Sequence, residues 1–282
     1  MLHALNSLIA RLLAIVLAPF STWPPLVGLT LVSLLVAIAV LVAFKWTSNQ
    51  RAIAHTKRQI LASLFELRLF QDDPRLMLRA TGGLLAQQAR YLTHTFIPLL
   101  IAGPPLALLL PHLDAYYGYR SIRPGESTVV IARLKPNVLP PQQPRDADTM
   151  ILEAAPGVRV DTPCVWAESL AECAWRITAD APGDFQLTIQ FPTGYGRTTK
   201  RFRVTDAIVA RSPVRPDGSL WDEWRAPGEQ PLPPDSPFEA ITTIYPDREI
   251  EILGAAWHWP VVFFVLTTLA VFLARPLFHV TL

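Results

Sequence analysis

Three stretches of this 282-residue chain carry no charged side chain: residues 24–44, 96–113 and 257–274, which are 21, 18 and 18 residues long. As helices rising about 1.5 Å per residue, each comes close to the roughly 30 Å of a bilayer's hydrocarbon core. Backbone amides can satisfy one another inside such a helix, which is why lipid tolerates it. Three spans therefore constrain the chain more than any other feature, and they make it an integral membrane protein. Composition agrees, with 51% hydrophobic residues, 17% charged residues and a mean hydropathy of +0.29.

The polar segments between the spans differ in sign. Residues 46–94 hold Arg51, Lys57, Arg58, Arg68, Arg75, Arg79 and Arg90 against Glu66, Asp72 and Asp73. Residues 113–256 hold 15 Lys/Arg and 20 Asp/Glu, a net charge of −5, although the whole chain is at +2. The positive-inside rule then places 46–94 in the cytoplasm and the longer segment outside. Residues 46–71 and 74–94 both read as helices, separated by Asp72-Asp73-Pro74. Asp73 suits an N-cap and Pro74 the first helical position, where the missing amide hydrogen is not needed. A two-helix hairpin projecting from the membrane is expected.

Residues 1–22 admit three readings: a signal peptide, a further span or a helix lying in the membrane interface. The only early charge, Arg11, sits inside the apolar run, and no small-x-small cleavage site follows. His3, Asn6, Ser7, Ala10, Arg11 and Ala14 group on one side of a helix, with Leu5, Leu8, Ile9, Leu12 and Leu13 largely opposite, which favours the interfacial helix. The first span is then assigned to 23–45, with Trp23 as an outer anchor and Lys45 at its inner end. The second span, 95–113, is interrupted by Pro98, Gly103, Pro104 and Pro105, so a kinked or partly unwound helix is expected. The third span is 255–275, with Trp257 and Trp259 at its outer entry, and 276–282 is a cytoplasmic tail.

Residues 114–254 alternate apolar and polar side chains over short runs at 127–134, 149–154, 158–161, 173–179, 185–191 and 198–205. Glycine- and proline-containing turns separate several of them. This pattern predicts an extracytoplasmic β-sandwich of immunoglobulin-like type, with Trp175 in its core. Residues 212–237 contain too many prolines for a central strand and read as an arm running over the sandwich. The predicted class is thus an α+β membrane protein: three transmembrane helices, a cytoplasmic helical hairpin and an extracytoplasmic β-sandwich, in a bacterial-type inner membrane.

Little catalytic chemistry is visible. Cys164 and Cys173 are the only cysteines, and in an oxidising compartment they are expected to form a disulfide closing a short loop. His3, His55, His94, His112, His258 and His279 are scattered, without metal spacing, and a polar tip among headgroups accounts for those near the membrane boundaries. Neither a GxSxG, a P-loop, an HExxH nor a GxGxxG motif occurs. Asp146/Asp148 and Asp222/Glu223 are acidic pairs in loops and read as solvated surface. No ionisable residue sits mid-span, which argues against an ion-coupled transporter. Thr30, Ser33, Thr267 and Thr268 are the polar groups of the first and third spans. Bonding to the helix's own i−4 carbonyl accounts for them, although Thr267 and Thr268 would also suit a polar cavity beside the second span. The chain is read as a non-enzyme without cofactor, metal or nucleic-acid partner.

The order of elements, with the basic hairpin at 46–94 between the first and second spans and Lys45, Arg51, Lys57 and Arg58 just below the first, resembles the YidC-type insertase superfamily in its minimal three-span form. The resemblance covers about half the chain and is one of architecture. It implies a groove open to the cytoplasm and to lipid, lined here by Pro98, Pro104, Pro105, Thr267 and Thr268. It also implies a hairpin that receives hydrophobic client segments at Lys45, Arg51, Lys57 and Arg58. The bacterial branch has a positive charge within the first span, whereas here Lys45 lies at its edge, and the outer domain follows the hairpin instead of preceding it. The alternative is a non-catalytic envelope scaffold or accessory subunit, in contact with membrane lipids and binding another envelope protein through the sandwich.

Overall fold

The computed structural model describes residues 2–47, 50–69, 74–136, 150–190, 197–252 and 254–278. It forms two compact units, one comprising Met1–Leu29 and Leu108–Val261, the other Thr30–Ala107 and Val262–Leu282. The fold is mixed α+β. Among the described residues three helical segments, Pro25–Thr47, Pro98–Tyr117 and Trp259–Phe278, are long and apolar enough to cross a membrane.

The second unit is helical. Helix α1 (Leu2–Leu17) belongs to the first unit, whereas most of α2 (Pro25–Thr47), all of α3 (Gln50–Leu69) and most of α4 (Pro74–Tyr117) lie in the second. Pro74 opens α4 as the sequence predicts, while the expected N-cap Asp73 lies outside the described residues. Helix α4 runs for 44 residues, and its backbone is helical through Pro98, Gly103, Pro104 and Pro105. The expected partial unwinding is not found: the backbone stays helical although each proline forfeits a ladder bond and crowds the carbonyl four residues before it. Ser63 of α3 donates a 3.3 Å hydrogen bond to Oε1 of Gln87 in α4. The buried Leu41 and Phe44 near the end of α2 pack on Val271, Ala274 and Phe278, residues of the C-terminal helix Trp259–Phe278.

The first unit contains three antiparallel sheets. Strands β1 (Ser127–Leu134), β2 (Ile151–Ala154), β3 (Val158–Val160), β4 (Val165–Ala167), β5 (Glu172–Ala179), β6 (Gly183–Gln190) and β7 (Arg197–Val204) are followed by β8 (Val214–Pro216), the short helix α5 (Leu220–Arg225), β9 (Phe238–Thr243), β10 (Glu249–Ile252), β11 (Ala255–His258) and α6 (Trp259–Phe278). Six strands form one sheet in the order β3-β5-β1-β9-β8, with β4 also on β5. Strands β2-β6-β7 form the second sheet, and β10-β11 are a separate ribbon. These are open sheets. Period-2 alternation explains the match at β1, whose burial alternates residue by residue, and at β7, where Thr198, Lys200, Phe202 and Val204 point inward.

One buried cluster takes Val130, Trp175, Ile177 and Ile241 from the six-stranded sheet and Leu152, Leu187, Ile189 and Phe202 from the three-stranded one. Trp175 is a core residue as the sequence predicts. The proline-rich segment is more regular than an arm. It contributes β8, an edge strand in which Pro216 is tolerated because an edge leaves one row of donors unpaired. Ala255–His258, assigned from sequence to the start of the third span, form β11 instead, and Trp257 pairs with Ile250. Cys164 and Cys173 are joined by a disulfide, with their Cα atoms 5.6 Å apart, beside the β4–β5 pairing.

Candidate functional site

The residues singled out in the sequence for client capture and for a groove lie on four helices of the second unit, α2, α3, α4 and α6. Lys45 is exposed in the last turn of α2, and Arg58 is exposed on α3. Arg51 and Lys57 lie on α3, but their side chains are outside the described residues. On α4, Pro98 is buried while Pro104 and Pro105 are exposed; on α6, Thr267 and Thr268 are half-buried. The Oγ atoms of Ser33 and Thr267 are buried without a hydrogen-bond partner, so the i−4 carbonyl does not satisfy them as expected.

The helices of the second unit expose an apolar ladder. Leu78, Leu85, Leu92 and Leu99 of α4 are 77%, 64%, 58% and 55% exposed. A seven-residue spacing keeps them along one stripe that drifts by only about 20° per step. The stripe runs from the basic segment into the apolar one on a single helix. Leu61, Leu64 and Phe65 make a similar exposed patch on α3 at helical i, i+3, i+4 spacing.

In the first unit, α1 buries a mixed face that carries Asn6 together with Leu13 and Leu17. Asn6 is buried and donates through Nδ2 to the carbonyl of Glu223 at 3.1 Å, while Leu5, Leu8, Leu12 and Ile15 are exposed. Leu13, placed by the sequence on the apolar face, is buried on the inward side, as is Leu17. His112 is also buried: its Nδ1 lies 2.9 Å from the Leu108 carbonyl and its Nε2 3.1 Å from the Asn6 carbonyl. It ties α4 to α1 and is not the headgroup histidine expected from sequence. At the start of α2, a methyl added at Gly28 would lie 2.5 Å from the Tyr117 hydroxyl, so only glycine admits that ring.

Between α1 and the three-stranded sheet lies a cavity of about 520 Å³. Its floor is Gln186, Thr199 and Arg201 on the outward face of β6 and β7, its wall is Glu223 of α5 and residues 226–231, and α1 closes it with Asn6, Ser7, Ala10 and Arg11. Arg215 is tied down by bonds to the Thr199, Gln230 and Pro231 carbonyls. Beneath the wall, Lys200 is wholly buried, with Nζ 2.6 Å from Glu229 Oε2 and 2.6 Å from the Ser212 carbonyl. Burial pushes its pKa down, and the Glu229 carboxylate opposes that shift. The second Glu229 oxygen accepts from the Arg201 backbone amide at 2.9 Å.

Among the described residues Arg211 is the other buried arginine or lysine. It donates to the carbonyls of Tyr119, Val209, Thr205 and Ala207, leaves Nε unpartnered, and is lowered to about 10 by desolvation. It clasps the loop after β7 to the end of α4. Sequence reasoning missed both cations; the signal for Lys200 was a lysine at an inward position of an alternating strand. Among the described residues no group of three or more His, Cys, Asp or Glu side chains is placed to hold a metal ion. Asp222 of the proposed acidic pair is engaged by the α5 cap, Ser219, while Asp146 and Asp148 lie outside the described residues.

No protein-family model matches the chain, and neither the curated proteins nor the solved structures contain a significant match. The class is therefore defined by the structure: a mixed α+β protein with three helices suited to spanning a membrane, whose exposed apolar surfaces suit contact with lipid.

Proposed function

We propose that the chain is an insertase-like factor in membrane protein biogenesis, similar in architecture to the three-span members of the YidC-type superfamily. In this reading α3 and the first part of α4 form a cytoplasmic hairpin. The β-sheet unit is an extracytoplasmic, immunoglobulin-like sandwich, and the membrane is of bacterial inner-membrane type. The observation that carries the reading is the leucine ladder Leu78, Leu85, Leu92 and Leu99. A helix that stayed in water would hide such a stripe, and contiguous exposed apolar surface marks a site of interaction. Here the stripe offers a hydrophobic segment a continuous path along α4, with Lys45, Arg51, Lys57 and Arg58 of the preceding basic segment to hold its acidic flanks.

The unpartnered hydroxyl of Thr267 supports a polar lining for a groove that includes Thr268, Pro98, Pro104 and Pro105. Burying such a hydroxyl unpaired costs about 1–3 kcal/mol, which a passing polar group or water would relieve. The test is site-specific photocrosslinking from positions 78, 85 and 92 to nascent membrane proteins. Crosslinks at all three are expected, with the crosslink from position 78 diminished in Leu85→Gln/Leu92→Gln. Crosslinks confined to one stable envelope protein would replace this reading with a scaffold.

A further inference from the structure

Independently of that reading, the cavity under α1 has the composition of an anion site, and we propose that it binds the phosphate group of a small polar phosphoester at the membrane surface. Arg11, Arg201 and Arg215 line it, against Glu223 and Glu229. Glu229 is offset by the buried Lys200, its partner at 2.6 Å, so two positive charges remain uncompensated. Arg11 and Arg201 are exposed, and neither guanidinium meets a carboxylate among the described residues. Arginine's planar fork matches phosphate oxygens in a bidentate way. Gln186 and Thr199 on the floor supply neutral hydrogen-bonding groups for the rest of the ligand.

The orientation of α1 gives the position. Leu5, Leu8, Leu12 and Ile15 form one exposed stripe, and an amphipathic helix lays such a stripe about 5–10 Å into the boundary between headgroups and acyl chains. The cavity lies on the opposite side of that helix, about one helix diameter of roughly 10 Å away. It therefore faces the headgroup layer and the water just above it. A cavity of about 520 Å³ is large enough for a headgroup, and the three guanidinium groups in its lining favour an anion. The phosphate is carried either on a lipid headgroup or on a soluble ester, and the chemistry that recognises it is the same.

The test uses the full chain. In maltoside detergent, glycerol phosphate is titrated while intrinsic tryptophan fluorescence is followed, to which Trp221 and Trp224, flanking Glu223 on α5, contribute. In parallel, the chain is placed in nanodiscs of phosphatidylglycerol or of an uncharged glycolipid, and retained phospholipid is counted by native mass spectrometry. Saturable binding in at least one arm, weakened tenfold or more in Arg11→Glu/Arg201→Glu, is expected. A response to the soluble ester assigns a free phosphoester, and retention of phosphatidylglycerol alone assigns a lipid headgroup. Arg11→Gln/Arg201→Gln, which adds no negative charge, should show the same loss with an unchanged thermal transition. No binding in either arm, or binding unaffected in both variants, overturns the proposal.

Discussion

The indole Nε1 of Trp259 donates a 2.9 Å hydrogen bond to Oδ1 of Asp114. The two residues are 145 positions apart; one opens α6 and the other lies in the last turns of α4. A bond to a carboxylate in a partly desolvated site contributes about 1.5–3 kcal/mol. Trp259→Phe should lower the thermal transition accordingly, and Trp259→Phe combined with Asp114→Asn should cost less than the two single changes added together. Strict additivity would mean that the bond is not what couples them.

Lys200 and Glu229 form the second coupling. Glu229→Gln leaves a wholly buried ammonium without its counter-charge, and removing one partner of a buried pair costs about 3–5 kcal/mol. Lys200→Met combined with Glu229→Gln removes both charges and should recover much of that loss. Denaturant unfolding of the three variants measures it, and a double variant as weak as the single one would show that the ammonium's bonds to Ser212 carry the stability.

Glu126 predicts an acid limb. Its carboxylate accepts from the Arg120 side chain at 2.5 and 2.9 Å and from the Arg123 amide at 3.0 Å, which holds its pKa down at about 2. A depressed carboxylate stabilises the fold fully above its unfolded value of about 4.5 and loses that contribution as pH falls through the folded value. Thermal melts between pH 5 and about pH 2 should therefore fall less steeply for Glu126→Gln than for the parent chain. Parallel slopes would assign the limb to other carboxylates.

The Cys164–Cys173 bridge closes a short loop into the buried cluster. Cross-links over loops of this size contribute roughly 2–4 kcal/mol by restricting the unfolded chain. Cys164→Ala/Cys173→Ala should unfold at correspondingly lower denaturant. Non-reducing peptide maps of protein from intact cells should show the bridge, and two free thiols would reject it.

Orientation rests on the opposite charges of the two polar segments. Because both native cysteines are bridged, a cysteine introduced at Gly83 or at Gly125 reports alone. An impermeant thiol reagent added to intact cells should label position 125 and leave position 83 unlabelled until the membrane is opened. The reverse pattern would invert the topology and remove the basis for a cytoplasmic client.

Patterns confined to one element were legible in the sequence. Charge-free runs marked the three long apolar helices, strict alternation placed β1 to its end residues, and Trp175 was recognisable as core, because each depends on a period of 3.6 or 2 within a few neighbouring residues. The spacing of two cysteines pointed to their bridge in the same way. What depended on distant segments meeting was decided only by the tertiary structure. Val214–Pro216 is a strand because β9 offers it an edge, and Trp257 belongs to a ribbon because Ile250 lies opposite it. Asn6 lies on the buried face of α1, beside Leu13 and Leu17, because Glu223 and His112, more than a hundred residues away, supply partners for it. Local sequence sets what an element can hide or expose, but it is the packing of remote elements that selects which side is covered, and the cavity between α1 and β7 exists only through that choice.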